Sequence, residues 1–238
     1  MELDIFTVIT IRGILMIRKK REQVEWLEFS LLQRFPKVLH GVFVKPALQH
    51  AFVDLFHTPT VMSCDQVHGN LVRDIKELAM DQQCDGMFTL QKQIALSTRH
   101  ADCQAAIFYD PIQKAIANIH CGWRGSVQNI YGKTVETMQK ALGSKVEDLL
   151  VCISPSLGPD HAEFIHFEEE FPFDLWPFQV RPFYFDLWQI SRNQLEEAGV
   201  QPQNIEIAEI CTYDHPNDFY SYRRDASAER NYTVVALQ

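Results

Sequence analysis

Apolar residues occur along this chain in short runs that end at glycine, proline, asparagine or aspartate, and two longer stretches carry them at helical spacing. Short apolar runs between turn-forming residues are typical of β-strands. The pattern predicts helices over 127–142 and 187–199. It predicts strands over 39–44, 86–90, 93–98, 103–109, 114–120, 149–153, 205–210 and 232–237. Residues 23–34 fit either a helix or a strand pair, and 46–60 are predicted to be a loop.

One predicted hairpin gives a testable register. Asp110 and Pro111 fit the first two positions of a type I turn. If residues 110–113 form a four-residue loop, Tyr109 pairs with Lys114. The strands on either side would then be antiparallel neighbours.

This register has a chemical consequence. It places Cys103 directly opposite His120, with Cβ atoms about 4.5–5.5 Å apart, which is close enough to share a metal ion. A five-residue loop would separate the two side chains onto opposite faces. Because side chains alternate along a strand, Cys121 should point away from His120 and should not be a ligand beside it.

The segment Trp123-Arg124-Gly125 precedes the first long predicted helix. Ser126 is the predicted N-cap of that helix and Gly143 its end. Free N–H groups and the helix dipole favour an anion at such a position. Arg124 is therefore a candidate phosphate-binding residue, with a solvent-exposed ion pair as the ordinary alternative.

Three donors that zinc accepts, His68, Cys103 and His120, lie at the ends of predicted strands. Two imidazoles and a thiolate suit tetrahedral zinc and leave one position open for water or substrate. Their spacings of 35 and 17 residues match no short zinc motif, so a buried cysteine with two hydrogen-bonded histidines is the simpler interpretation. A second chemistry pairs Cys103 as a nucleophile with His120 as its base.

Two neighbouring residues could support either site. His100 could join the metal or the thiol site, although a surface position is commoner for such a histidine. Asp102 is a candidate to orient a ligand histidine. An aspartate at this kind of position more often caps a turn.

Charge and composition limit the function classes. The formal net charge is −9, which argues against nucleic acid and against anionic membranes as partners. A local arginine pocket could still bind a small anion. The six cysteines include no CxxC pair, and 46% of the residues are hydrophobic, so we expect a self-sufficient core with free thiols.

The apolar N-terminal stretch 5–17 is interrupted by Arg12 and Gly13 and is shorter than the roughly 20 residues that span a bilayer. It lacks the positive charge that precedes the apolar part of a signal peptide. We expect an edge strand or an extension here, and a cytoplasmic protein.

Four motifs together resemble the YfiH-like family, once named multicopper polyphenol oxidases or laccase-domain proteins. They are Gln-Val-His-Gly at 66–69, Ala-Asp-Cys at 101–103, His-x-Gly-Trp-Arg-Gly at 120–125 and Tyr-Arg-Arg-Asp at 222–225. The resemblance implies a single α/β domain over 39–238 with mixed sheets sandwiched between helices, similar to the cytotoxic necrotizing factor fold. Residues 1–38 would be an N-terminal extension with the first elements of that one compact domain.

The resemblance also implies an activity, namely zinc-dependent purine nucleoside phosphorylase with adenosine deaminase and methylthioadenosine phosphorylase activity. Purine nucleosides and phosphate would be the ligands, and the protein would be a monomer or a dimer. The zinc ligands carried over are His68, Cys103 and His120, with Cys103, His120 and Arg124 as catalytic residues. Arg124, Lys45 in place of a family arginine, and Arg223 are expected to bind substrate or phosphate, and Asp102 and Gln66 to support the ligands.

Other functions stay open at this point. Copper-dependent oxidation of phenols is one, although one cysteine and a few histidines form a poor multicopper set. A Cys-His hydrolase is another. The non-enzymatic alternative is a degenerate member that binds nucleosides or a protein partner.

Overall fold

A computed structural model describes residues 5–11, 14–46, 51–77 and 83–238. In these residues the strands are β1 (Ile5–Ile11), β2 (Ile14–Arg21), β3 (Val24–Phe29), β4 (Val38–Phe43), β5 (Thr60–Met62), β6 (Val72–Asp74), β7 (Gly86–Thr89), β8 (Ile94–His100), β9 (Gln104–Asp110), β10 (Ala115–Cys121), β11 (Leu150–Ile153), β12 (Gln179–Arg181), β13 (Tyr184–Phe185), β14 (Ile205–Ile207) and β15 (Asn231–Leu237). The α-helices are α1 (Ala51–Phe56), α2 (Trp123–Val127), α3 (Ile130–Leu142), α4 (Phe167–Glu170), α5 (Leu187–Glu197) and α6 (Tyr222–Asp225).

The strands form two large sheets and one small one. The first has seven strands in the order β1-β2-β3-β4-β15-β8-β5, and the second has six in the order β14-β11-β9-β10-β7-β6. Most neighbours are antiparallel, while the pairs β5–β8, β6–β7 and β11–β14 are parallel. Strands β12 and β13 form the small sheet. The predicted α/β class with mixed sheets is confirmed.

The two large sheets pack face to face, and helices cover their outer faces. The core between the sheets includes Phe29 and Val235 from the first and Ile107 and Ile116 from the second. Every position of β9 and β10 is buried, because both faces of these strands are covered.

Helix α1 covers the outer face of the first sheet, and α3 and α5 cover that of the second. The sheets are thus sandwiched between helices, as expected. In the described part of the chain no helix is long and apolar enough to cross a bilayer.

The register of the β9–β10 hairpin differs from the prediction by two residues. Asp110 is still in the strand and pairs with Ala115, and the loop is 111–114. The reason is the Asp110 carboxylate, whose Oδ1 accepts hydrogen bonds from the N–H groups of Ile112 and Gln113. Consequently His120 pairs with Ala105 rather than lying opposite Cys103. Because the shift is even, Cys103 stays on the face expected for it.

The predicted helix 127–142 is observed as α3, which begins three residues later, and a separate short helix precedes it. The short α2 begins at Trp123, directly after Gly122, and ends at Val127. Asn129 then adopts a left-handed conformation, with φ of 50°, and its side chain caps α3 by accepting from Gly132 N–H. Ser126 therefore lies inside α2 and is not an N-cap. Gly143 ends α3 in a left-handed conformation, as predicted.

The structure also tests several smaller expectations, of which some are confirmed and others are wrong. Residues 24–29 form β3 and are followed by a 3₁₀ turn, so 23–34 is not a helix. The predicted loop 46–60 contains α1, while its residues 47–50 lie outside the described part. Asp186 caps α5, and β1 is an edge strand of the first sheet.

Candidate functional site

A cavity of about 870 Å³ lies beside the ends of β8, β9 and β10. That volume is in the range of small-molecule sites in proteins. Its wall contains His68, Cys103 and His120. Chain segments that are far apart in sequence therefore meet at one opening.

The ligand atoms of His68, Cys103 and His120 all lie within 4.8 Å of one another. His120 ends β10 and is buried, Cys103 directly precedes β9 and is partly buried, and His68 is exposed on the loop after β5. The two imidazole rings meet edge to face, with centroids 4.9 Å apart. Zinc ligands at 2.0–2.3 Å from a tetrahedral ion are roughly 3.5 Å from each other. The donors therefore need only small shifts to share an ion.

Asp85 connects two of these donors. Its Oδ1 accepts hydrogen bonds from His120 Nδ1 at 2.8 Å and from the His68 backbone N–H at 2.9 Å. Its Oδ2 accepts from the N–H groups of Gly69 at 2.7 Å and Val67 at 3.3 Å. The carboxylate thus fixes the orientation of one imidazole and the conformation of the loop that carries the other, a role typical of residues behind a metal ligand.

The protonation of these groups follows from burial and neighbouring charge. Burial alone would raise the pKa of Asp85, but hydrogen bonds from His120 and from backbone N–H groups hold it below its ordinary value. Burial lowers the pKa of His68, and nearby cations such as Arg124 add to the effect. Loss of hydration raises the pKa of Cys103 to about 12. Without a cation, Cys103 is a thiol rather than a reactive thiolate.

Gly122 leaves room for the donors. A Cβ atom at this position would lie 2.8 Å from His68 Cδ2 and 3.1 Å from Cys103 Sγ. Any other residue would therefore push the imidazole or the sulfur aside. This close approach explains the glycine two residues after His120, and the donor set of two imidazoles and one thiol fits zinc.

Cys121 points away from the donors, as alternation along β10 requires. It packs among the apolar residues beneath α3, and its Sγ lies 3.3 Å from Ser126 Oγ. It is not a member of the donor group.

Gln66 secures the loop that carries His68. Its amide exchanges two hydrogen bonds with the backbone of Arg99 in β8, at 2.7 and 3.0 Å. The side chain therefore acts on the position of His68 through the backbone.

Asp102 does not orient a ligand histidine, so that expectation is wrong. Its Oδ1 accepts from Thr212 Oγ1 at 2.7 Å and its Oδ2 from the Arg223 N–H at 2.6 Å. The left-handed backbone of Asp102, with φ of 80°, turns the carboxylate toward those segments. Asp85 makes the histidine contact instead.

Lys45 lies outside the cavity, contrary to the expected role in binding substrate or phosphate. Its Nζ donates to the carbonyl of Pro216 at 3.0 Å and lies 4.4 Å from the centre of the Tyr220 ring.

Four arginines line the cavity, namely Arg99, Arg124, Arg223 and Arg230. Within the described residues none of them forms an ion pair with a carboxylate. Arg223 donates to the carbonyl of Glu163, and Arg230 to the carbonyls of Ser227 and Glu229. Arg224, by contrast, pairs with Asp225 and donates to backbone carbonyls, so it is structural. In a chain of net charge −9, this concentration of cations makes the cavity a candidate anion site, although Glu163 and Glu170 line it as well.

His100 also lines the cavity but is only 1% exposed, so its expected surface position is wrong. Its Nε2 lies 2.9 Å from Thr233 Oγ1, and burial lowers its pKa to about 3. The imidazole is therefore neutral at physiological pH.

Sequence reasoning missed several cavity residues. The sequence analysis assigned no role to Asp85, which supports the donors, or to the cavity residues Arg99 and Arg230. The signal for Asp85 was its place beside a strand end close to the two histidine motifs. The opposite wall, which includes Glu163, Phe164 and His166, carried no motif.

Comparisons with known proteins identify the family of this chain. The family described as multi-copper polyphenol oxidoreductase laccase matches residues 46–238. The chain belongs to this family. The YfiH-like resemblance is thereby confirmed.

Individual proteins similar to this chain are named purine nucleoside phosphorylases rather than laccases. A purine nucleoside phosphorylase of Bacteroides thetaiotaomicron is 36% identical over 151 residues, which cover 59% of this chain and 55% of that protein. One of Campylobacter jejuni is 32% identical over 176 residues, covering 73% of this chain and 76% of that protein. The chain thus spans about half of the Bacteroides relative.

A solved structure supports the fold. YlmD from Geobacillus stearothermophilus superimposes with a TM-score of 0.80 at 21% identity, covering 92% of this chain and 98% of that one. At this identity the likeness concerns the architecture alone.

Proposed function

We propose that this protein is a zinc-dependent purine nucleoside phosphorylase whose ion is held by His68, Cys103 and His120. One observation carries the proposal: two imidazoles and a thiol converge to within 4.8 Å in a cavity that four arginines also line. The relatives named purine nucleoside phosphorylase support the same reaction class.

The metal and its neighbours have separate tasks. When bound, zinc supplies a Lewis acid that polarises an oxygen or lowers the pKa of a water molecule. Asp85 keeps the Nδ1–H of His120 engaged, so that Nε2 is the free donor. Gly122 leaves the space in which His68 and Cys103 approach each other.

Phosphate binding falls to the arginines. Guanidinium groups donate paired hydrogen bonds that match phosphate oxygens. Arg124 and Arg230 line the cavity and also add positive charge at His68. Helix α2 contributes little to phosphate binding, because the helix has only five residues and Arg124 lies within its first turn.

In the proposed reaction a phosphate oxygen forms a bond to C1′ of the ribose as the glycosidic C–N bond breaks. The purine leaves with that electron pair and takes up a proton at nitrogen. The arginines hold the phosphate against the ribose carbon, which lowers the barrier by positioning. That proton comes from water in the open cavity, because burial lowers the pKa of the cavity-lining His100 to about 3 and leaves it no proton to give at neutral pH.

Aromatic side chains in the cavity wall are proposed to contact the base. Trp123 and Phe164 pack edge to face, with ring centroids 6.1 Å apart, and both line the cavity. Tyr222 is exposed on the same wall. Flat apolar faces of this kind suit a purine ring.

The same cavity is proposed to deaminate adenosine and to cleave methylthioadenosine. In deamination a water oxygen adds to C6 of the base and ammonia leaves, so phosphate is not consumed. Methylthioadenosine differs from adenosine at the 5′ carbon and requires only that the open cavity accept a thioether there.

The decisive test incubates metal-quantified protein with inosine, adenosine and methylthioadenosine, with and without phosphate, and identifies products by chromatography. We expect free base and the sugar 1-phosphate (methylthioribose 1-phosphate from methylthioadenosine) only with phosphate, and inosine from adenosine in either case. His120→Ala should lose zinc and turnover, while His57→Ala, a histidine remote from the cavity, should keep both. Full turnover in chelated, zinc-free protein would refute the metal role.

Two other outcomes would replace the proposal. Stoichiometric copper together with oxidation of phenols would favour the activity in the family's description. Tight zinc and nucleoside binding without any product would favour a binding protein. A Cys-His hydrolase is disfavoured because the pKa of Cys103 is about 12, which leaves little thiolate to attack a substrate.

A further inference from the structure

We propose a second zinc site, formed by His161, Cys211 and Asp214, behind the wall of the catalytic cavity. The ligand atoms of these residues all lie within 4.8 Å of one another. His161 Nε2 is 2.7 Å from Asp214 Oδ1, and Cys211 is buried beneath them. None of the three lines the catalytic cavity.

The sulfur of Cys211 has the surroundings of a metal thiolate. It accepts a hydrogen bond from Gly158 N–H at 3.3 Å. An N–H group directed at a sulfur favours its anionic form. Burial nevertheless raises the pKa of the Cys211 thiol, so without a cation it is neutral and a poor nucleophile.

The imidazole is also held in place. The His161 ring stacks on Tyr213, with centroids 3.8 Å apart and planes 16° apart. Its side chain is 28% exposed and that of Asp214 is 48% exposed, so a cation can enter from solvent. A fixed ring reduces the side-chain entropy lost when an ion binds.

The donor types select the ion. A nitrogen, a sulfur and a carboxylate oxygen suit zinc, whereas calcium and magnesium prefer oxygen ligands alone. Three protein ligands leave one position for water. Two arginines contact the segments that carry these donors. Arg224 donates to the carbonyls of Thr212 and Tyr213 and pairs with Asp225, and Arg181 donates to the carbonyl of Asp160.

The site lies between two segments that shape the cavity. Glu163 and Phe164, which follow His161 by two and three residues, line the cavity wall. Next to Cys211, Thr212 donates to the carboxylate of Asp102, the neighbour of Cys103. An ion here would cross-link the two segments and stiffen the wall that faces the first donor set.

Cobalt provides a direct test, since Co²⁺ replaces zinc and a cobalt-thiolate bond gives charge-transfer absorption in the near ultraviolet. In a Cys103→Ser background the first site has no thiolate. We expect one equivalent of cobalt to give this absorption, Cys211→Ser to abolish it and Cys64→Ser to preserve it. Absence of the absorption in the Cys103→Ser background, or its survival after Cys211→Ser, would overturn the proposal.

Because Cys211 is buried, Cys211→Ser could disturb folding, so the two more exposed ligands provide a second test. His161→Gln and Asp214→Asn, each in the Cys103→Ser background, should weaken cobalt binding at least tenfold and leave the circular dichroism spectrum unchanged. Zinc should raise the melting temperature of the Cys103→Ser variant but not that of Cys103→Ser with His161→Gln. Unchanged cobalt affinity in both surface variants would refute the second metal site. This conclusion would hold whatever activity the first donor set supports.

Discussion

The Asp85 carboxylate holds both histidines of the first donor set, one through its ring and the other through its backbone. The substitution Asp85→Asn keeps the size of the side chain and removes its charge. An amide has a single acceptor oxygen, and its NH₂ group would face N–H donors that now meet a carboxylate oxygen. The substitution therefore tests whether this residue organises the metal centre.

The structure sets the scale of the effect. Residues behind a metal ligand typically alter affinity 10–100-fold, which is about 1.4–2.8 kcal/mol. Because Asp85 is only 1% exposed and accepts four hydrogen bonds, losing its charge should also lower the free energy of unfolding by about 1.5–3 kcal/mol. Zinc binding and stability should fall together.

The assay is competition for zinc against a colorimetric chelator, with urea unfolding of the metal-free protein measured in parallel. Asp102→Asn is the matched control, since it makes the same chemical change beside Cys103 in a carboxylate that contacts Thr212 and Arg223 instead. We expect zinc affinity within about twofold of wild type for Asp102→Asn. Equal losses in both variants, or a larger one in Asp102→Asn, would refute the assignment to Asp85.

Three further predictions follow from single contacts. Gly122→Ala places a Cβ 2.8 Å from an imidazole carbon, so nucleoside turnover should fall about 100-fold, and a fully active variant would contradict this. Arg230→Gln should raise the KM for phosphate about tenfold without loss of zinc, whereas Arg34→Gln, remote from the cavity, should not. Burial lowers the pKa of His100 to about 3, below its unfolded value near 6.5, so the folded protein binds fewer protons and loses stability as pH falls through that interval. At about pH 5 this loss is about 2 kcal/mol relative to pH 7. Burial also lowers the pKa of His40 and His68, so urea titrations should show a loss about 2 kcal/mol smaller in His100→Gln than in wild type.

Local pattern was sufficient for most secondary structure. The central strands β9 and β10 are near-continuous apolar runs, and Asp186 and Gly143 mark helix ends by chemistry that depends only on neighbouring residues. The errors arose where one side chain overrode the pattern. Asp110 moved the hairpin register by capping its own turn, and Asn129 moved the start of the predicted helix to Ile130 by adopting a left-handed backbone.

The candidate site was less accessible from sequence. The donor types of His68, Cys103 and His120 could be read directly, because few residues bind zinc. Which carboxylate supports them depends on tertiary placement, and the sequence alone does not distinguish Asp85 from Asp102. The arginines posed the same problem, since Arg223 and Arg224 are adjacent but only the first lines the cavity.

The position of the donors in the sandwich connects metal binding to the fold. His68 follows β5 of the first sheet, Cys103 lies where the chain crosses from β8 in the first sheet to β9 in the second, and His120 ends β10 of the second. Gln66 ties the His68 loop to the first sheet, while Asp85 ties it to β10. The three ligand atoms can therefore converge only when both sheets are packed against each other. An ion bound there would stabilise the folded sandwich over any state in which the sheets separate, so the proposed metal centre would couple to the core between the sheets.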